Sequence, residues 1–126
     1  MPRLILTRDS VHPGDDVDAP HRLEVALDAL PDTPTRLVAW LQARVGDYLP
    51  GVAGPASWAA FSGIPLVVWS AQGRDPRPLW AIDMFADRLD TDGDTVRVHL
   101  VYFAVQDPEA VYQVLERTLT YRPGRD

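Results

Sequence analysis

One stretch of the sequence gathers most of the side chains that can do chemistry. Residues 10–21 read Ser-Val-His-Pro-Gly-Asp-Asp-Val-Asp-Ala-Pro-His. Two imidazoles and a carboxylate can hold Zn²⁺, Mn²⁺ or Fe²⁺ with positions left open for water. Such a site would use His12, Asp16, Asp18 and His21, and its chemistry would be hydrolytic or oxygenase-like. The spacing matches no established metal motif, so a metal-dependent enzyme is an alternative interpretation and not the first one.

The same stretch also has a simpler interpretation as an acidic loop. Aspartate beside glycine and proline is ordinary turn chemistry. An exposed loop that carries Asp15, Asp16 and Asp18 is a good docking surface for arginines and lysines of a protein partner. We expect this loop to bind a partner rather than a metal.

A second acidic segment runs from Asp90 to Asp94. A calcium loop of the EF-hand type needs glycine at its sixth position and a bidentate acid at its twelfth. Here Gly93 is fourth and Val101 is twelfth, so the segment is predicted to be a tight turn. If the two acidic loops share an edge of the fold, Asp90, Asp92 and Asp94 join the partner-binding surface.

The remaining reactive or aromatic side chains give weaker signals. His99 shares a strand face with Arg97 and is expected at the rim, where it would join a cleft if the first two strands lie nearby. Tryptophans recur in successive predicted strands and on one helix, which is typical of a core. A small-ligand binder with an aromatic pocket is the remaining alternative for these residues. They are Trp40, Trp58, Trp69 and Trp80.

The elements that position these residues follow from periodicity and from turn residues. The first two strands, Arg3–Arg8 and Arg22–Leu27, are joined by the 10–21 stretch and most simply pair antiparallel. Pro34 and Pro108 mark the first turns of two amphipathic helices, with Asp32 or Thr33 capping the first and Asp107 the second. The other predicted strands are Ser57–Phe61, Ile64–Ala71, Leu79–Met84 and Thr95–Gln106, with a short helical turn at Phe85–Leu89.

The resulting order is β-β-α-β-β-β-β-α within one domain over residues 1–126. Neighbouring strands with short turns and only two helices predict the α+β class. We expect a mostly antiparallel sheet of about six strands with both helices on one face. The exposed edge of such a sheet can support a homodimer.

Composition limits the function classes. The net charge is −6 and the pI is near 4.9, which argues against a nucleic-acid binder, because that function needs a basic stripe. The chain has no cysteine, no leader-like start and no apolar run long enough for a membrane, so a cytoplasmic location is expected. No cofactor motif is present in the sequence.

A small acidic domain without a catalytic motif is expected to bind rather than to catalyse. The leading interpretation is a protein-binding domain for a basic partner, in the manner of an immunity or antitoxin-like inhibitor of a bacterial toxin.

Overall fold

A computed structural model describes residues 2–9, 22–31, 33–48, 56–70, 76–79, 82–104 and 107–120. The strands are β1 (Arg3–Arg8), β2 (Arg22–Ala26), β3 (Ala56–Phe61), β4 (Pro65–Ser70), β5 (Arg77–Pro78), β6 (Thr91–Asp92) and β7 (Thr95–Ala104). The helices are α1 (Pro34–Tyr48), α2 (Pro108–Thr120) and a 3₁₀ helix (Ile82–Arg88). The predicted α+β class, the mostly antiparallel sheet and the two α-helices are confirmed.

All seven strands belong to one sheet. The order across it is β2-β1-β7-β3-β4-β5, and the short β6 also pairs with β7. β1 and β2 pair antiparallel, as predicted, whereas β1 and β7 pair in parallel. The first and last strands of the chain are therefore neighbours near the middle of the sheet.

The strand registers define two faces of the sheet, which we call the apolar face and the mixed face. At its centre the apolar face carries seven fully or almost fully buried side chains, those of Leu4, Leu6, Trp58, Trp69, Val96, Val98 and Leu100. The mixed face is buried over β3 and β4, at Ala59 and Val68, and is polar and more exposed over β1 and the start of β7. The two faces differ because successive side chains point to opposite sides of a strand.

The ends of the helices confirm the predicted caps. The Arg36 N–H donates to Thr33 Oγ1 at 3.2 Å, and the Ala110 N–H donates to Asp107 Oδ1 at 3.0 Å. The Thr35 N–H donates to Asp83 Oδ1 at 2.9 Å, so the 3₁₀ helix also caps α1. Each cap satisfies a backbone donor that has no partner within its own helix.

The contacts place the two α-helices on opposite faces of the sheet, which corrects the expectation that both lie on one face. Arg77 shares the mixed face with Val68, forms an ion pair with Glu109 and lies 4.0 Å from the ring centroid of Tyr112, so α2 covers the mixed face over β3 and β4. α1 connects β2 to β3, which run parallel to each other. The usual right-handed crossover places α1 on the apolar face. The mixed face over β1 and β2 is not covered by either helix.

The predicted strand Leu79–Met84 is wrong. Arg77 and Pro78 pair with β4, the Leu79 N–H donates to the Leu66 carbonyl, and Ile82 begins the 3₁₀ helix, which overlaps the predicted helical turn at Phe85–Leu89. Residues 80 and 81 lie outside the described residues. Pro78 has no N–H for a further strand, so this edge of the sheet ends early. The predicted turns at Gly63 and Gly93 are present, and both glycines have positive φ, 73° and 61°. A Cβ at Gly63 would overlap the carbonyl oxygen of Arg88.

Candidate functional site

The parallel pairing of β1 and β7 brings Thr7 opposite His99 on the mixed face. This meets the condition under which the sequence predicted His99 to join a cleft. The carboxylate of Asp9, one residue beyond β1, reaches the same position. A hydroxyl, an imidazole and a carboxylate from the first and last strands therefore meet at one place.

These groups form a continuous hydrogen-bonded chain, which we call the Asp9 network. His99 Nδ1 lies 2.8 Å from Thr7 Oγ1, and His99 Nε2 lies 2.8 Å from Asp9 Oδ1. The other carboxylate oxygen, Asp9 Oδ2, accepts the Tyr102 N–H at 2.9 Å. The Asp9 N–H in turn donates to the Leu100 carbonyl at 2.9 Å. Asp9 is thus bonded to β7 through both its backbone and its side chain.

The proton positions follow from the chemistry of the partners. An ionised carboxylate only accepts, so His99 Nε2 carries a proton toward Asp9. In the neutral imidazole, Nδ1 is then the acceptor and the Thr7 hydroxyl donates to it. In the protonated imidazole Nδ1 donates to Thr7, whose hydroxyl can turn to the Val98 carbonyl at 3.4 Å. The network is therefore satisfied in both protonation states.

A cleft of about 260 Å³ lies beside the network on the mixed face. Its wall combines the apolar Ile5 and Phe61 with the charged Arg97, and Thr7 and His99 lie at its border. The His99 and Asp9 side chains are 44% and 39% exposed, so small molecules in solvent can reach them.

The Asp9 network also holds the residue that directly precedes the 10–21 segment. At the other end of that segment, Arg22 pairs with Thr7 in the β1–β2 ladder. The two residues that flank the segment are therefore held in adjacent strands. His12, Asp15, Asp16, Asp18 and His21 themselves lie outside the described residues, and both the metal site and the acidic docking loop stay predictions.

The second acidic segment forms the turn between β6 and β7. Arg97 Nη1 lies 3.3 Å from Asp90 Oδ1, and Arg97 Nη2 lies 3.2 Å from Asp92 Oδ2. All three side chains are close to half exposed or more. The hydrogen bond and charge of the chain's amino terminus lower the pKa of Asp94 below its usual value, and Arg3 adds a smaller attraction. We call Asp90, Asp92, Asp94 and Arg97 the acidic turn.

Asp94 and Asp9 lie at opposite ends of β1. The Arg3 N–H donates to the Asp94 carbonyl at 2.9 Å, whereas Asp9 follows Arg8 at the other end of the strand. A six-residue strand is about 17 Å long at 3.4 Å per residue. Asp94 is therefore about one strand length away from Asp9, whereas Asp90 and Arg97 line the same cleft as Thr7 and His99.

Two of the tryptophans have the predicted core position. Trp58 is 0% and Trp69 1% exposed, and Trp58 packs against Tyr102 with ring centroids 5.0 Å apart. Among the described residues, the Trp58 indole N–H has no hydrogen-bond partner. Trp40 lies under the guanidinium of Arg44 at 4.9 Å, and Trp80 lies outside the described residues.

Sequence reasoning missed Thr7 and Asp9. Their separation of two residues at the end of a strand places both on the face of His99, but only the β1–β7 pairing shows that the strands are neighbours. Among the described residues, no group of three or more His, Cys, Asp or Glu side chains is arranged to hold a metal ion. None of the helices in the described part of the chain has the length and apolar character needed to cross a membrane.

Comparisons with protein-family models, with curated proteins and with solved structures give no match to this chain. The function is therefore argued from the residues and their geometry.

Proposed function

We propose that this chain is a protein-binding domain that presents the acidic segment 10–21 to a basic protein partner. The observation that supports the proposal is the Asp9 network at the start of the segment. Asp9 is bonded to His99 and to the Tyr102 N–H, and Arg22 is held in the ladder with Thr7. Anchored ends reduce the conformational freedom that a loop loses on binding, and that loss is a main cost of association.

The distribution of charge supports the same proposal. Asp15, Asp16 and Asp18 fall in a segment without arginine, whereas the chain as a whole has 12 arginines for 18 acids. This segment alone contributes three of the six net negative charges. A local acidic patch attracts a basic partner and increases the rate of encounter at low salt.

The acidic turn is the weaker candidate for the contact surface. Asp90 and Asp92 already pair with Arg97, so a partner must displace or share that guanidinium. We keep Asp90, Asp92 and Asp94 as secondary contacts, of which Asp94 lies at the far end of β1 from Asp9. One concrete form of the proposal is an immunity or antitoxin-like protein that blocks a basic bacterial toxin.

The test compares two variants with the same change in charge. Asp15→Asn, Asp16→Asn and Asp18→Asn together neutralise the segment, and Asp90→Asn, Asp92→Asn and Asp94→Asn neutralise the acidic turn. Calorimetry measures the affinity of each for the basic product of the adjacent gene at two salt concentrations. We expect the first triple variant to lose at least tenfold in affinity and much of the salt dependence, with a smaller effect from the second. Absence of a complex with the wild-type chain would overturn the proposal.

The Asp9 network favours a second candidate function, acyl transfer from small esters. The chain of Thr7 hydroxyl, His99 imidazole and Asp9 carboxylate has the order of a catalytic triad, with the two ring nitrogens exchanged. Thr7 Oγ1 would attack the ester carbonyl while His99 Nδ1 takes its proton and later returns it to the leaving alcohol. Water would then hydrolyse the acyl-threonine with the same base.

Hydrolysis of p-nitrophenyl acetate tests this second candidate. We expect turnover above the buffer rate that is lost in both Thr7→Val and His99→Gln. Thr95→Val is the matched control, because Thr95 is the first residue of β7 and its hydroxyl contacts Arg3 instead of His99. Equal rates for wild type, Thr7→Val and His99→Gln would exclude Thr7 as a nucleophile.

A further inference from the structure

β2 forms one edge of the sheet, and no other described strand pairs with its outer side. β2 pairs only with β1, and four of its five side chains are exposed. The Leu27 N–H donates to the Pro2 carbonyl, so Leu27, Val25 and Leu23 direct their backbone groups toward β1. The alternate residues Arg22, Glu24 and Ala26 therefore direct theirs outward. Within the described residues, no hydrogen bond reaches these outward backbone groups.

The opposite edge of the sheet is protected against edge pairing by its length and by a proline. β5 has two residues, and one of them is Pro78, which has no N–H to offer. β2 has five residues and contains no proline, no glycine and no lysine. An open edge of this kind is a template for another strand.

The side chains of β2 can pair with those of a second copy of β2. Arg22 and Glu24 are exposed on the mixed face, where Arg22 Nη2 lies 2.9 Å from Glu24 Oε2. Leu23 between them is 37% exposed at the rim of the apolar face. When two copies of β2 run antiparallel with Leu23 opposite Leu23, each Arg22 lies opposite Glu24 of the second copy. Each Arg22–Glu24 pair exchanges backbone hydrogen bonds, because the backbone groups of both residues point outward. The two Leu23 residues form a non-hydrogen-bonded pair, in which the side chains lie closer together.

We propose that two copies of this chain associate through their β2 edges in this register, which joins their sheets into one. The register with Glu24 opposite Glu24 is disfavoured, since like charges directly opposite each other destabilise a ladder. A second copy fits the edge because one strand supplies both members of each charged pair. The interface is independent of the binding function proposed above.

Charge exchange tests the proposal without removing any backbone bond. Arg22→Glu makes both members of each cross-strand pair carboxylates, and Glu24→Arg makes both members guanidiniums, so each variant alone is expected to be monomeric. The double variant Arg22→Glu with Glu24→Arg restores opposite charges and is expected to dimerise like the wild type. A mixture of the two single variants is expected to form a mixed dimer.

Sedimentation velocity from micromolar to millimolar concentration measures these states, and urea unfolding of each variant confirms that it folds. A wild-type chain that stays monomeric at every concentration overturns the proposal, and so does a dimer that persists unchanged in Arg22→Glu. Dimers in the wild type and the double variant, with monomers in the two single variants, support both the edge and the register.

Discussion

The two ends of the β1–β7 pair are held together in different ways. At one end, Asp9 accepts bonds from the His99 ring and from the Tyr102 N–H, at 2.8 and 2.9 Å, in a partly buried position. Toward the other end, Arg97, which lies opposite Ile5, contacts Asp90 and Asp92 at 3.3 and 3.2 Å, with Asp92 75% exposed. Exposed ion pairs contribute little to stability, whereas charge-assisted bonds that satisfy a backbone N–H contribute more.

This difference shows which contacts contribute more to the stability of the β1–β7 pair. The 10–21 segment starts from the strongly bonded end, and the acidic turn lies at the weakly bonded end. A binding segment benefits from anchored ends, because the partner then orders fewer residues. The comparison leads to four predictions, which are ordered by the size of the expected effect.

Asp9→Ala has the largest expected effect. It leaves the Tyr102 N–H and the His99 ring without their acceptor, so we expect a loss of about 1–3 kcal/mol in the free energy of unfolding. Urea denaturation measures it. Asp92→Ala at the other end is the control, with an expected loss of about 0–1 kcal/mol. Equal losses from the two variants would remove the distinction between the ends.

Thr7→Val has a smaller expected effect. Valine keeps the shape and the strand preference of threonine but removes the hydroxyl that contacts His99 Nδ1 at 2.8 Å. We expect a loss of about 0.5–1.5 kcal/mol, typical of one hydrogen bond. Thr95→Val removes an exposed hydroxyl that contacts Arg3, and the free energy of unfolding should fall by less than in Thr7→Val. A larger loss for Thr95→Val would contradict the account.

Arg97→Ala tests the acidic turn, because its effect on the free energy of unfolding should depend on salt. Its pairs with Asp90 and Asp92 are exposed, so we expect a loss of about 0–1 kcal/mol at low salt that disappears near 1 M salt. The loss in Asp9→Ala should persist at high salt, because partly buried bonds are screened less. A salt-independent loss in Arg97→Ala would show that the acidic turn is not held by surface charge.

The pH dependence of Asp94 is the smallest expected effect. The pKa of this carboxyl is lowered in the folded chain, mainly by the amino terminus. A lowered folded pKa stabilises the fold above the unfolded value, near pH 4, and the stabilisation is lost as pH falls through the folded value. The difference in stability between wild type and Asp94→Asn should therefore be present at pH 7 and shrink toward pH 3. A difference that grows on acidification would contradict this sign.

Local signals in the sequence predicted most of the elements. Asp107 and Pro108 predicted the start of α2, the alternation of Leu23 and Val25 predicted β2, and Gly93 predicted a tight turn. The predicted strand Leu79–Met84 failed because Ile82 begins a 3₁₀ helix that also caps α1 through Asp83. Apolar residues indicate burial but do not by themselves decide between strand and helix.

The candidate site could not be predicted in the same way. Thr7 and His99 are 92 positions apart, and nothing local indicates that the first and last strands pair in parallel. His99 was expected at a rim and Asp9 had no expected role. Long-range pairing of strands brings them together, and a sequence read in local windows does not contain that information.

The central claim is that the Asp9 network anchors a segment that binds a basic partner. The most direct test is the affinity of Asp9→Asn for that partner, measured by calorimetry under conditions where the variant is folded. Asp28→Asn is the control, because Asp28 is exposed and loses the same charge. We predict that Asp9→Asn binds roughly three to ten times more weakly, although Asp15, Asp16 and Asp18 are unchanged, because the partner must order a looser segment. Equal affinities for the wild type, Asp9→Asn and Asp28→Asn would contradict the claim.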